Sequence, residues 1–341
     1  MQNQYTGNNN FYEEEHLKSS LLTFINRNKN FQANQIISFS FPLDYISPLA
    51  VFQSLKLRNE LHFYVEKPNS EIAVLAFGHI RKAIYDGKSR FERTRDFSSE
   101  CLNKIISYNN HKKNLFRPNV FTAFSFLDKK IDKSSFPSST VFLPEWHIFN
   151  QSEDSGIVLN FRYNARTSVN SLVNKVIKKY NFFRTFDYDL KSSIKSKGKS
   201  NYKSKVIKTS DFKSSVLSAI NEIKKNDYKK IVLSKKVTLE KSTNLDLFLV
   251  LYKLREQFSS CYTFLFNEGS SKSFIGASPE KLININDGIL FTEAIAGSSP
   301  RGNNVSEDAQ YGLQLLNSNK DLLEHNLVAK YISQRLFNLN L

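Results

Sequence analysis

The chain changes rhythm between residues 190 and 210. Before that point apolar residues come in short runs that alternate with polar ones and break at polar turns, the pattern of half-buried strands. Residues 61–65 and 71–77 read as a hairpin across Glu66, Lys67, Pro68, Asn69 and Ser70, and residues 120–126 and 156–161 read as further strands. Beyond the break the spacing becomes helical. Ser210 or Asp211 can cap a helix whose apolar face is Phe212, Val216, Ile220 and Ile223. Residues 230–237 follow as a strand, and residues 244–258 as a helix with Leu247, Leu251, Leu254 and Phe258 along one side. Residues 262–291 form a meander with turns at Glu268, Gly269 and at Asp287, Gly288. Helices at 306–316 and 320–336 complete the pattern.

Composition narrows the class. With 341 residues, 40% hydrophobic and 23% charged, the chain is globular and large enough for one big domain or two. Eleven Gly and 8 Pro rule out a collagen-like chain, and apolar runs of at most six residues are too short for a membrane-spanning helix. Cys101 and Cys261 make no disulfide framework and the polar N-terminus has no secretory signal, so the expected compartment is the cytoplasm. His16, His62, His79, His111 and His147 lack zinc-site spacing and read as surface or packing residues.

The formal charge of +16 invites a nucleic-acid reading. However, 35 of the 48 basic residues are Lys, which lacks the planar fork that reads guanine or clamps phosphate. Seven of them fall in residues 191–208, a stretch without an acid, which reads as a solvated connector between residues 1–190 and 209–341. A basic surface still concentrates a small polyanionic substrate.

Four blocks then stand in order: Lys-Ile-Val-Leu-Ser from Lys230, Phe-Ile-Gly-Ala-Ser-Pro-Glu-Lys-Leu from Phe274, Thr-Glu-Ala-Ile-Ala-Gly-Ser-Ser-Pro-Arg-Gly from Thr292, and Lys-Asp-Leu-Leu-Glu-His-Asn-Leu-Val from Lys320. Together they resemble four motifs of the chorismate-utilising enzymes. The Phe-Tyr-Val-Glu at Phe63, Ala-Phe-Gly at Ala76 and Phe-Leu-Pro-Glu at Phe142 are similar to that family's more divergent N-terminal half. The resemblance implies an α+β fold, a four-layer α/β/β/α sandwich of two antiparallel sheets with helices outside, and a substrate cleft beside the sheet core.

Within the family, members that add water to chorismate carry Lys where Lys230 stands, and anthranilate synthase large subunits carry Gln. The resemblance is therefore closest to isochorismate synthases and implies Mg²⁺-dependent isomerisation of chorismate, with menaquinone or a catechol siderophore downstream. It casts Lys230 as the base that activates water for attack at C2 and Glu280 as the acid that protonates the departing C4 hydroxyl. It makes Glu324 a metal ligand and Gly297 and Ser298 substrate contacts, with no direct role for Glu293 or Arg301. A free lysine titrates near 10.4, so such a base must be desolvated or set near other cations. Alternation along a strand puts Lys236 on its face, with Lys229 and Lys235 opposite. Without their surroundings these residues read plainly: an edge-strand lysine, an exposed turn acid and a helix-surface acid.

Family members continue beyond the helix of Glu324 and His325 with a second metal glutamate, a substrate arginine, a glycine-rich turn and a terminal lysine. Since the chain stops at Leu341, the resemblance implies a truncated cleft, exposed apolar strand edges and little activity from this length alone. Two rival enzymes are a salicylate synthase, which also eliminates pyruvate, and an aminating anthranilate synthase subunit. A rival of another class is a basic nucleic-acid-binding protein working through residues 191–208. The leading reading has chorismate as its partner, without nucleic acid or membrane, and leaves the oligomeric state open.

Overall fold

The computed structural model describes residues 6–28, 35–55, 60–109, 117–130, 136–164, 166–187, 204–209, 211–225, 228, 230–241 and 245–339. An eight-stranded sheet organises them. It comprises β1 (Gln35–Leu43), β2 (Leu61–Lys67), β3 (Ile72–Phe77), β5 (Ile105–Asn109), β8 (Trp146–Gln151), β9 (Asp154–Tyr163), β12 (Tyr262–Glu268) and β13 (Ser273–Ser278). They run in the order β13-β12-β2-β3-β8-β9-β1-β5, antiparallel throughout except for the parallel β1–β5 edge pair. β4 (Arg81–Tyr85), β7 (Ser139–Leu143) and β6 (Phe121–Phe124) form a three-stranded sheet. β10 (Ser204–Thr209) pairs with β11 (Val237–Lys241), and β14 (Asn284–Asn286) with β15 (Ile289–Phe291).

The described helices are α1 (Thr6–Arg27), α2 (Pro48–Ser54), α3 (Arg90–Asn103), α4 (Val169–Arg184), α5 (Phe212–Lys224), α6 (Leu247–Gln257), α7 (Val305–Leu316) and α8 (Asn319–Phe337). No described helix is long and apolar enough to cross a membrane.

Strand alternation sorts the large sheet into two faces. Phe39, Leu159, Ile148, Leu75, Tyr64 and Leu265 point one way and pack under α1, α2, α4 and α6. Phe63, Ala76 and Phe266 point the other way, onto Phe121 and Phe142 of the three-stranded sheet. β7 alternates in turn: Phe142 faces the large sheet, and Val141 packs on Phe97 and Cys101 of α3. The result is the expected α+β class with helix, sheet, sheet and helix in succession. A buried join fastens α6 to the sheet, where the Tyr64 hydroxyl donates to Glu66 and the Arg255 guanidinium lies 3.4 Å from the other carboxylate oxygen.

The hairpin of residues 61–65 and 71–77 is β2–β3, turned by Pro68–Ser70 with Glu71 in the left-handed region at φ 51°. The expected meander is instead two separate hairpins, β12–β13 at the edge of the large sheet and β14–β15 in a two-stranded sheet of its own. The helix expected from residue 244 begins at Leu247, because Asp246 accepts the Leu249 N–H and caps it. A further expectation is corrected. Residues 230–236 are not a strand, and regular pairing begins only at Val237. Alternation suits a strand, but a ladder needs a partner, and β10 supplies one only to Val237–Lys241. The alternation that placed Lys236 on the face of Lys230 therefore has no strand to act on. The lysine-rich connector lies outside the described residues up to residue 203, and its last part enters β10.

Cys101 and Cys261 are free, buried thiols. His62 and His147 are fully buried, and burial lowers each from 6.5 to about 4. Each is thus neutral in the fold and takes a proton more readily once unfolded, so its contribution is complete above pH 6.5 and is lost as pH falls towards 4. Thermal melts should show stability falling across this window by on the order of 3 kcal/mol per histidine, and the His147→Gln variant should flatten the decline. A wild-type profile that is level from pH 6.5 to 4 would contradict this.

Candidate active site

Glu324 is set in place by the start of α8. Ser318 caps that helix by accepting the Asp321 N–H at 3.3 Å, and Asp321 puts negative charge in the first turn, where the helix dipole favours it. Glu324 follows three residues later, one turn along the same side. Lys230 reaches it from the irregular segment before β11: Nζ donates to Glu324 Oε1 at 2.9 Å, bridging 94 positions of sequence. The side chains are 32% and 38% exposed, so the pair sits at the surface of the fold.

The third component is the turn at Gly297. Its φ of +87° lies in the region that disfavours side chains, and a Cβ there would stand 3.2 Å from Asp321 Cβ and 3.4 Å from its Oδ1. The turn therefore lies against the first turn of α8, with Ser298 exposed. Beside Lys230 an open groove of about 830 Å³ runs along α5, lined by Ser214, Ser218, Glu222, Tyr228 and Ile231 among others.

Of the five residues expected at the site, the structure pairs Lys230 with Glu324 and sets Gly297 against Asp321, three residues before Glu324, with Ser298 next in sequence. Glu280 is held by a different turn. It is exposed on the turn after β13, its N–H donates to Ser278 Oγ at 3.3 Å, and it does not line the groove beside Lys230. Glu293 pairs with Lys281 at 3.5 Å and so ties the ends of the β14–β15 hairpin. Among the described residues no three His, Cys, Asp or Glu cluster as a metal centre.

Sequence reasoning missed two acids. Asp321 backs the Gly297 turn, and Asp308 accepts from Arg301 and from the Gly302 N–H. Those contacts, the Gly302 N–H first, hold the Asp308 carboxyl below the ordinary range. Both acids were legible as first-turn acids: Asp321 follows the Ser318 cap, and Asp308 adjoins a capping box in which Asn304 accepts from the Glu307 N–H.

Comparison with known proteins bears on this arrangement. A family model described as chorismate binding enzyme matches residues 21–341. Isochorismate synthase MenF of Bacillus subtilis is 24% identical over 328 residues, covering 92% of this chain and 68% of that protein. The salicylate biosynthesis isochorismate synthase of Pseudomonas aeruginosa is 34% identical over 121 residues, 36% of this chain and 25% of its own length. Among solved structures, the menaquinone-specific isochorismate synthase MenF of Escherichia coli matches with a TM-score of 0.61 at 16% identity, over 93% of this chain and 68% of that one.

Replacing Gly297 by Ala should destabilise the chain by about 1–2 kcal/mol in chemical denaturation, since it adds both strain and a close contact with Asp321. An unchanged denaturation midpoint would show that the turn is not held against α8.

Proposed function

The chain belongs to the chorismate-binding enzymes, and from that premise we propose that it is an isochorismate synthase. The observation that carries the reading is the 2.9 Å pairing of Lys230 with Glu324, which joins the lysine expected of water-adding members to the carboxylate expected of the metal site. Two isochorismate synthases among the similar proteins support it.

The reaction moves a hydroxyl across a cyclohexadiene. Water adds at C2, the ring double bonds shift and the C4 hydroxyl leaves. Lys230 Nζ, once it has left Glu324 and given its own proton to solvent, takes the proton of the attacking water. Glu280 gives a proton to the departing oxygen, so protons balance over the turnover. For both to act on one ring, Glu280 must reach the substrate's far side from its turn at the end of β13. The Gly297 and Ser298 turn orients the substrate through backbone N–H groups and the Ser298 hydroxyl.

Glu324 fits a magnesium ion as a single, partly exposed carboxylate, the donor type that ion takes alongside water and substrate oxygens. When bound, the metal neutralises substrate carboxylate charge. Because Lys230 occupies Oε1 of the same carboxylate, its ammonium must release Glu324 for the site to load. The reading retains the division at residues 1–190, 191–208 and 209–341, and a cytoplasmic setting with chorismate as the small-molecule partner. The product serves menaquinone or catechol siderophore assembly equally.

Incubating the chain with chorismate and Mg²⁺ and separating the products tests this even at slow turnover. Isochorismate without pyruvate is expected. Pyruvate release would give the salicylate synthase reading, and an ammonia-dependent aromatic amine the anthranilate synthase reading. No consumption of chorismate would contradict all three. Lys230→Gln should lower turnover by about 10²–10⁴-fold, the range of a lost general base, and chelation with EDTA should abolish it.

A further inference from the structure

The loop after Gly297 is fixed at both ends by contacts for which the chemistry above has no use. At its start Gly297 rests on Asp321 of α8. At its end the Arg301 guanidinium donates from Nε and Nη2 to the two carboxylate oxygens of Asp308, at 2.8 and 2.7 Å. The Gly302 N–H donates to Asp308 Oδ1 at 2.8 Å, and the Asn303 N–H to Glu307 Oε2 at 2.7 Å. The Tyr311 hydroxyl holds the other Glu307 oxygen at 3.0 Å. A Cβ on Gly302 would lie 2.1 Å from the Asp308 backbone nitrogen, so this end of the loop lies directly on the first turn of α7.

An exposed ion pair contributes little by itself, but a bidentate Arg–carboxylate pair fixes orientation as well as distance. Arg301 is 89% exposed, yet its forked edge is taken up by Asp308 and is not presented to solvent as a ready clamp for a substrate carboxylate. Between the two anchors sits Ser298, exposed and three residues from Arg301.

We propose that Arg301 and Asp308 are positioning residues: their fork holds the loop from Gly297 to Asn303 on α7 and α8 so that Gly297 and Ser298 meet a dicarboxylate substrate in a fixed pose. The inference rests on the chorismate reading. Loss of either partner loosens the loop's grip on substrate and leaves the reacting groups in place, so KM moves and kcat does not.

A double-mutant cycle on the full chain tests it, with isochorismate formation as the assay. Arg301→Gln and Asp308→Ala should each raise KM for chorismate by about tenfold with kcat within about twofold, and the double variant should be no worse than either. Arg301→Lys should fail like Arg301→Gln, because it keeps the charge and loses the fork. If Asp308→Ala leaves KM unchanged while Arg301→Gln raises it, Arg301 binds substrate directly and the proposal is overturned. It is equally overturned if neither variant changes KM, or if Arg301→Lys restores it. Should Asp308→Ala unfold, the two Arg301 variants, at an exposed side chain, decide the matter by their KM against kcat split. A wild-type chain that does not turn over chorismate removes the functional reading and this inference with it, whereas normal wild-type turnover with unmoved variants removes the inference alone.

Discussion

One ion pair fixes the candidate site. The segment from Lys230 to the start of β11 has no regular structure and belongs to no ladder, so hydrogen bonding to a neighbouring strand does not place it. What ties it to the rest of the site is the contact of Lys230 Nζ with Glu324 Oε1, which brings a lysine from one motif against a carboxylate from another. Everything else at the site is arranged about α8: Ser318 caps it, Asp321 backs the Gly297 turn one turn earlier, and α7 carries the far end of the same loop. A partly exposed pair of this kind is a modest contributor to stability, so its importance lies in placement.

The sandwich provides the frame. Six of the eight strands of the large sheet come from before residue 164, and β12 and β13 join its edge through the pairing of β12 on β2. That pairing delivers the Ser-Pro-Glu turn to the rim of the sheet, because β13 ends at Ser278. The burial differs sharply between the parts. The sheet faces under α1, α2, α4 and α6 hold the main core, whereas α5, α7 and α8 bury none of their described side chains. Stability therefore resides in the sandwich, and the site residues ride on elements held by caps, ion pairs and loop contacts.

Much of this was legible in the sequence where local physics decides. Alternation located β2 and β3 because both of their faces meet packed layers, and the spacing of Phe212, Val216, Ile220 and Ile223 located α5 although Ile220 and Ile223 remain exposed. Caps were readable too, with Asp211 accepting the Ser214 N–H as expected. Pattern failed at residues 230–236, where the apolar run Ile231, Val232 and Leu233 has no strand to pair with among the described residues, since a β-forming run reports a preference and pairing needs a partner. The resemblance singled out Lys230 and Glu324 separately, but no spacing rule could say that the lysine would take the glutamate as its own partner. Nor could it show that Arg301 is engaged by Asp308, because that contact depends on Gly302 lying against a helix turn.

If Glu324 holds the metal as proposed, Lys230 and a divalent cation compete for one carboxylate. The direct measurement is Mn²⁺ affinity, by electron paramagnetic resonance, of the wild-type chain and of Lys230→Met and Glu324→Gln variants. Losing the lysine is expected to tighten Mn²⁺ binding by up to about fivefold, the equivalent of removing a partly exposed ion pair from the unloaded site, and losing the glutamate to weaken it. Unchanged or weaker binding by Lys230→Met would contradict the account.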